Sequence, residues 1–248
     1  MIKLVAIGDV HARFEVLWRA LRATGAATAA YEPSDAVIEG RIEVVCTGDL
    51  VHPKNAAAYG ALVGVTRFDP GDQEHLRRAA RVQVRELRRV RRFVDAAQGH
   101  VTITLGNHDD AVVPPRRALG SGRMPHAEFD PERGGEALPD DLVAWFASFP
   151  RAWSRDGVQV AHAGPTPGMQ TFDDFFYGDP AVKTWWYATP DLVRQTGHRF
   201  GVYGHTVMRD GIHLDAAAGV AMIDALDRGE VLEAMLDADR LDVRVTTV

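Results

Sequence analysis

The chain has 248 residues, 46% hydrophobic and 25% charged, with a formal net charge of −6. These fractions suit a soluble globular protein and exclude a disordered chain, a collagen-like repeat and a small disulfide scaffold, while the acidic balance argues against a protein that coats nucleic acid. One cysteine, Cys46, excludes an intrachain disulfide, and no stretch approaches the roughly 18 uncharged residues of a membrane span, so a cytoplasmic location and no membrane partner are expected.

In chain order, Lys3–Ile7 reads as a first strand and Phe14–Thr24 as a helix with Phe14, Leu17, Trp18 and Leu21 on one face. Arg41–Cys46 is a second strand, and Cys46 in its apolar run reads as a buried small hydrophobe. A long helix from about Gln73 to Ala97 leads to a third strand, Val101–Leu105. Asp141–Ser148 is a short helix and Val158–Ala161 another strand, followed by Phe200–Tyr203, Ile212–Leu214, Val220–Ile223, Val231–Leu236 and Leu241–Thr247. Val51–Asp72 and Ala111–Asp140, rich in Pro, Gly and charge, read as long loops of functional interest. Strands at both ends with helices between predict an α/β fold, a sandwich of two sheets flanked by helices, in one domain over residues 1–248.

The strands end alike. An apolar run gives way to Gly8-Asp9-Val10-His11, then Gly48-Asp49, then Gly106-Asn107-His108-Asp109, and later His162-Ala163-Gly164 and Gly204-His205-Thr206. Ligands of open α/β sheets sit beyond the carboxyl ends of the strands, so these ends would project Asp9, His11, Asp49, Asn107, His162 and His205 into one crevice. Carboxylate, imidazole and amide oxygen suit first-row divalent metals such as Mn, Fe or Zn, with manganese favoured. Six such residues are too many for one structural zinc. They suit two ions about 3.5–4 Å apart that share a carboxylate, clamp a phosphate and activate a bridging water. His108, beside Asn107, is placed to protonate the leaving alcohol.

In this order the motifs resemble the calcineurin-like metallophosphoesterase superfamily, most of all its phosphoprotein phosphatase and diadenosine-tetraphosphatase-like branch. The run from Phe149-Pro150 to His162-Ala163-Gly164, the ending Gly204-His205-Thr206-Val207, and His213-Leu214-Asp215-Ala216 on the following strand carry that finer likeness. The resemblance implies a four-layer αββα fold. It also implies that Asp9 and His11 hold a first metal, that Asp49 bridges, that Asn107, His162 and His205 hold a second, and that His108 is the general acid or the group stabilising the leaving oxygen. The branch continues its second motif as Gly-Asp-x-Val-Asp-Arg-Gly, whereas this chain reads Gly48-Asp49-Leu50-Val51-His52-Pro53-Lys54. His52 replaces the aspartate that would orient the catalytic histidine, and Pro53 the phosphate-binding arginine. Lys54, Arg116, Arg117, Arg194 and Arg199 are the cations that could take over, and Asp109 could orient its neighbours.

The expected activity is therefore hydrolysis of a phosphorylated substrate, a small molecule, nucleotide or phosphoprotein. The alternatives are a phosphodiesterase or nuclease, and a metal-binding module that has lost catalysis. Arg77, Arg81, Arg85, Arg88 and Arg92 form a stripe on the long helix that could follow a nucleic-acid backbone, but a solvated helix face is the favoured reading. His75, His100, His126, His198 and His213 are expected to be background, and the aromatic residues of Phe172–Tyr187 to be core or a wall near the site.

Overall fold

Alternation along the first strand, β1 (Ile2–Ile7), decides the layering: Leu4 and Ala6 pack toward a second sheet, Val5 and Ile7 toward helices. The computed structural model describes residues 1–121, 124–166, 180–237 and 240–248. After β1 come α1 (Phe14–Ala23), α2 (Asp35–Ile38), β2 (Ile42–Cys46), α3 (Ala56–Val63), α4 (Gln73–Ala96), β3 (Val101–Ile103) and α5 (Asn107–Ala111). The hairpin β4 (Leu119–Ser121) and β5 (Met124–His126) precedes α6 (Asp140–Ala147), β6 (Ala152–Arg155) and β7 (Val158–Ala161). Then follow α7 (Trp185–Ala188), α8 (Leu192–Gln195), β8 (Phe200–Tyr203), β9 (His213–Asp215), β10 (Val220–Met222), β11 (Glu230–Leu236) and β12 (Leu241–Thr247).

Two five-stranded sheets result, in the orders β12-β11-β1-β2-β3 and β6-β7-β8-β10-β9. Within them β1, β2 and β3 are mutually parallel, as are β7, β8 and β10. Strands β2, β7, β8 and β10 are buried at every position, as parallel strands covered on both faces must be. The sheets meet through Leu4, Ala6 and Val45 on one side and Val160, Val202, Ala221 and Ile223 on the other. Outside the first sheet lie α1, α4 and α6, which contribute Leu17, Leu87, Phe93, Trp145 and Phe146. Trp185, Leu192 and Val193 from α7 and α8 cover the second. This is the expected αββα sandwich.

Both expected long loops contain structure. Asn55 caps α3 by accepting from the Ala58 amide at 2.9 Å, and Gly64, at φ +67°, ends it; proline and glycine mark this helix's borders. The second loop contains the β4–β5 hairpin, and α5 ends on its first residue, Ala111. Of the aromatic run, Phe172, Phe175, Phe176 and Tyr177 lie outside the described residues, while Trp185 is buried against Tyr203. The arginine stripe is interleaved with carboxylates: Arg81 pairs with Glu136, Arg85 with Glu86 and Arg88 with Asp141. Among the described residues, no helix is long and apolar enough to cross a membrane.

Candidate metal centre

Because the two sheets present parallel strand ends on one side, their exit loops converge. Those after β1 and β2 continue the ladder, with the His11 amide donating to Asp49 O at 2.6 Å and the Ala12 amide to Leu50 O at 2.9 Å. The backbone there is strained: His11, Ala12, Asp49, His52 and His205 all have positive φ, between +43° and +66°. Strain of this kind clusters at functional sites, where the surrounding structure holds it. Two motif glycines are needed for closeness. A Cβ on Gly106 would lie 2.2 Å from Asp49 Oδ1, and one on Gly204 2.0 Å from Asp9 Oδ1.

All six expected ligands are brought together. Asp9 is fixed at both oxygens, Oδ1 by the Thr47 hydroxyl at 2.7 Å and Oδ2 by the His205 amide at 2.8 Å. Asp49 Oδ1 accepts from the His108 amide at 2.8 Å, while its Oδ2 lies 3.5 Å from both His11 Nε2 and His162 Nε2. His162 Nε2, Asn107 Oδ1 and His205 Nδ1 converge within 2.9–3.1 Å. The tautomers explain what this cluster is for. His11 Nδ1 donates to His52 O at 2.8 Å and His162 Nδ1 to Thr47 O at 2.7 Å. In the neutral rings, each Nε2 therefore aims a lone pair at carboxylate or amide oxygens. Lone pairs that converge in this way suit a cation, and backbone carbonyls behind the imidazoles are the usual way metal-ligating histidines are oriented. The residues fit a metal.

The electrostatics agree. Burial pushes the Asp49 carboxyl up to about 7, with His162 opposing and Asp9 adding to the rise. Burial would also raise Asp9, but His162 and His11 overcome it and hold Asp9 well below the carboxylate range. Burial works against a charged His162, yet Asp49 and Asp9 raise it to about 10, so a proton there balances the carboxylates until a metal displaces it.

His108 sits beside this cluster, edge-on to His11 at 4.9 Å between ring centroids. Its Nδ1 meets His52 Nδ1 at 3.0 Å, so His52 occupies the orienting position that the sequence assigns to it. Burial, followed by His162, lowers His108 to about 3. Behind His52, the His126 ring stacks at 4.5 Å with a 4° tilt, and His126 Nδ1 meets Tyr59 Oη at 2.8 Å. Tyr59 donates to Glu128, and Gln83 spans Glu128 and the His52 amide. His126 is thus not background but part of the support of His108. Parallel rings 4.5 Å apart share no point in both planes, so His52, His108 and His126 make a hydrogen-bonded and stacked support rather than a metal site. Asp109 does act as an orienter, of backbone: its Oδ1 accepts from the Leu50 amide at 2.7 Å and its Oδ2 from the Gly106 amide at 3.4 Å.

The candidate cations separate. Arg199 precedes β8 and bonds Asp237 O, and Arg194 bonds Ala217 O, both at the end of β8 opposite His205. Arg116 and Arg117 line a cavity of about 490 Å³ that has His52 and His126 in its wall. Lys54 reaches the cluster itself, with Nζ 2.5 Å from Asp224 Oδ1 and 3.4 Å from Asp227 Oδ2. His213-Leu214-Asp215 does form a strand, β9, and Asp215 receives the Ala218 amide in a turn, while Asp224, just after β10, is an aspartate brought beside Asp9 and His11. It is a sixth parallel strand end, legible as an apolar run followed by Asp but lacking the glycine that marks most of the others.

Solved phosphatases and phosphoesterases share the fold. A cold-active protein tyrosine phosphatase matches with a TM-score of 0.60 at 16% identity, covering 98% of this chain and 76% of that one. A protein serine/threonine phosphatase from Saccharomyces cerevisiae gives 0.53 at 12% identity, covering 100% and 80%. A metallophosphoesterase from Sphaerobacter thermophilus gives 0.50 at 18%, covering 98% and 87%. No curated protein sequence matches the chain. Residues 2–209, which take in every motif from Gly8-Asp9 to Gly204-His205, match the family described as calcineurin-like phosphoesterase, and the chain belongs to that family.

Proposed function

We propose that this metal-dependent phosphoesterase works with two divalent ions, manganese favoured over iron or zinc, and hydrolyses a phosphomonoester such as phosphoserine or phosphothreonine, or a nucleotide-type phosphate. The observation that supports it is the convergence of the Nε2 and Oδ atoms of His11, Asp49, Asn107 and His162 on one another, a set of ligand atoms that a divalent ion would join once it displaces the His162 proton. In this reading Asp9 and His11 hold one ion, Asp49 bridges, and Asn107, His162 and His205 hold the other. Bound there, the ions supply a water of lowered pKa and draw charge from the phosphoryl oxygens.

The chain's own residues do the rest. The carbonyls of His52 and Thr47 fix the His11 and His162 tautomers. With His52 donating from its Nδ1, the neutral His108 ring accepts at Nδ1 and carries its hydrogen on Nε2, the atom that would donate a hydrogen bond to the leaving oxygen and stabilise the charge developing there. His52, His126 and Tyr59 hold that ring in one orientation.

One observation favours a diester as the second reading. Lys54, which reaches the cluster, is already faced by Asp224 and Asp227, so its charge is largely matched before a phosphate dianion could use it. Rates on p-nitrophenyl phosphate and bis-p-nitrophenyl phosphate with Mn²⁺ test both readings. The monoester is expected to turn over faster; a faster diester would move the assignment to phosphodiesterase, and no turnover of either would refute catalysis.

A further inference from the structure

β10 ends at Met222, and Ile223-Asp224 then crosses directly over Gly8. A Cβ on Gly8 would lie 2.1 Å from Ile223 O and 3.2 Å from Asp224 Cα, so only glycine admits the crossing. The approach delivers Asp224 to Asp9 and His11: one ligand atom from each of the three residues lies within 4.8 Å of the others. Asp224 is 1% exposed. Its Oδ1 receives the Lys54 ammonium, but its Oδ2 is buried with no hydrogen-bond partner among the described residues. An orphaned buried carboxylate oxygen is costly and calls for a partner. Its neighbour His11 cannot donate from Nε2 in its neutral form, because its Nδ1–H is committed to His52 O.

We propose that Asp224 is a seventh protein ligand, binding the ion held by Asp9 and His11 through Oδ2 while Lys54 holds Oδ1. This rests on the two-metal reading above. A hydrogen-bonded second oxygen is the way ligating carboxylates are commonly oriented, and Lys54 supplies that bond. The consequence is an asymmetry of donors. The first position gains a set dominated by carboxylates, Asp9, Asp49 and Asp224 with His11. The second keeps two imidazoles, His162 and His205, with Asn107 and the shared Asp49. Carboxylate oxygens suit manganese and imidazoles suit zinc, so Asp224 makes the first position the more manganese-selective of the two.

The test is metal binding by the full chain stripped of metal, followed by calorimetry with Mn²⁺ and with Zn²⁺ and by the Mn²⁺ paramagnetic resonance spectrum. The wild type should take two Mn²⁺ ions. Asp224→Asn should lose tenfold or more in Mn²⁺ affinity at one site, with a smaller loss for Zn²⁺. Asp227→Asn touches the same ammonium from an exposed position outside the donor group and should stay within twofold of wild type. Two sites of unchanged affinity in Asp224→Asn would overturn the proposal, as would an equal loss in Asp227→Asn, which would assign the effect to the charge of Lys54. A wild type that takes fewer than two ions would overturn the two-metal reading along with it, a result distinct from two unchanged sites in the variant. If Asp224→Asn does not fold, Asp224→Glu should still hold two ions with an altered Mn²⁺ spectrum, and an unaltered spectrum would count against ligation.

Discussion

Asp49→Asn should stabilise the metal-free protein while removing its function. The carboxyl is buried and its affinity for a proton is raised from 3.8 to about 7, chiefly by burial. Three units correspond to about 4 kcal/mol, the cost of the ionised carboxylate above pH 7. The opposing attraction to His162 is already contained in that value, and asparagine is nearly isosteric and keeps the acceptor for the His108 amide. A net gain of up to about 4 kcal/mol is therefore expected, or roughly 8–16 °C in Tm for a chain of this size. The sign follows from proton binding. Between pH 4 and 7 the folded carboxyl keeps a proton that the unfolded chain releases, so wild-type stability falls across that window and the full cost is present above it. The gain should be absent at pH 4 and complete at pH 8. Thermal melts of both proteins in EDTA across that range measure it, and Mn²⁺ should reverse the order by stabilising only the wild type. A variant that melts at or below the wild type at pH 8 without metal would refute the reasoning.

His108→Ala should lower kcat on p-nitrophenyl phosphate by a factor of about 10² to 10⁴ while two metal ions are retained; a variant of unchanged kcat would remove His108 from catalysis. Gly204→Ala places a methyl 2.0 Å from Asp9 Oδ1 and 2.6 Å from Thr47 Oγ1, so it should weaken metal binding more than it lowers the metal-free Tm. Acid should destabilise the fold through His108, His126 and His205, each held by burial at about 3. The unfolded chain protonates these rings near 6.5, so their contribution is intact above that value and falls as pH drops toward 3, measurable as urea midpoints at pH 7 and pH 5. The carboxylate-paired arginines of α4 should bind single-stranded DNA weakly even at low salt; tight binding that falls steeply with salt would restore the nuclease reading.

The sequence made the strand ends legible because each combines a short apolar run with a turn residue and a ligand type, and parallel strands then force those ends together. The ligand set from Asp9 to His205 follows from that local grammar. His126, Tyr59, Glu128 and Gln83 do not, because they lie on a hairpin, a capped helix, a loop and the long helix, and only packing brings them to His52. α3 was hidden by the proline and glycine of its flanks. Asp224 was half legible: its strand is readable as Val220–Ile223, but no glycine marks the strand end as it marks Asp9 and Asp49. Lys54, which follows the position of the missing arginine, is held by Asp224 and Asp227, partners that no spacing argument could supply.

The two-metal centre is tested most directly by the rate of p-nitrophenyl phosphate hydrolysis by the metal-free protein as Mn²⁺ is added in equivalents per chain. Little activity is expected up to one equivalent, then a rise that saturates at two. Full activity at one equivalent, or activity indifferent to added metal, would contradict a catalytic centre built on a shared Asp49.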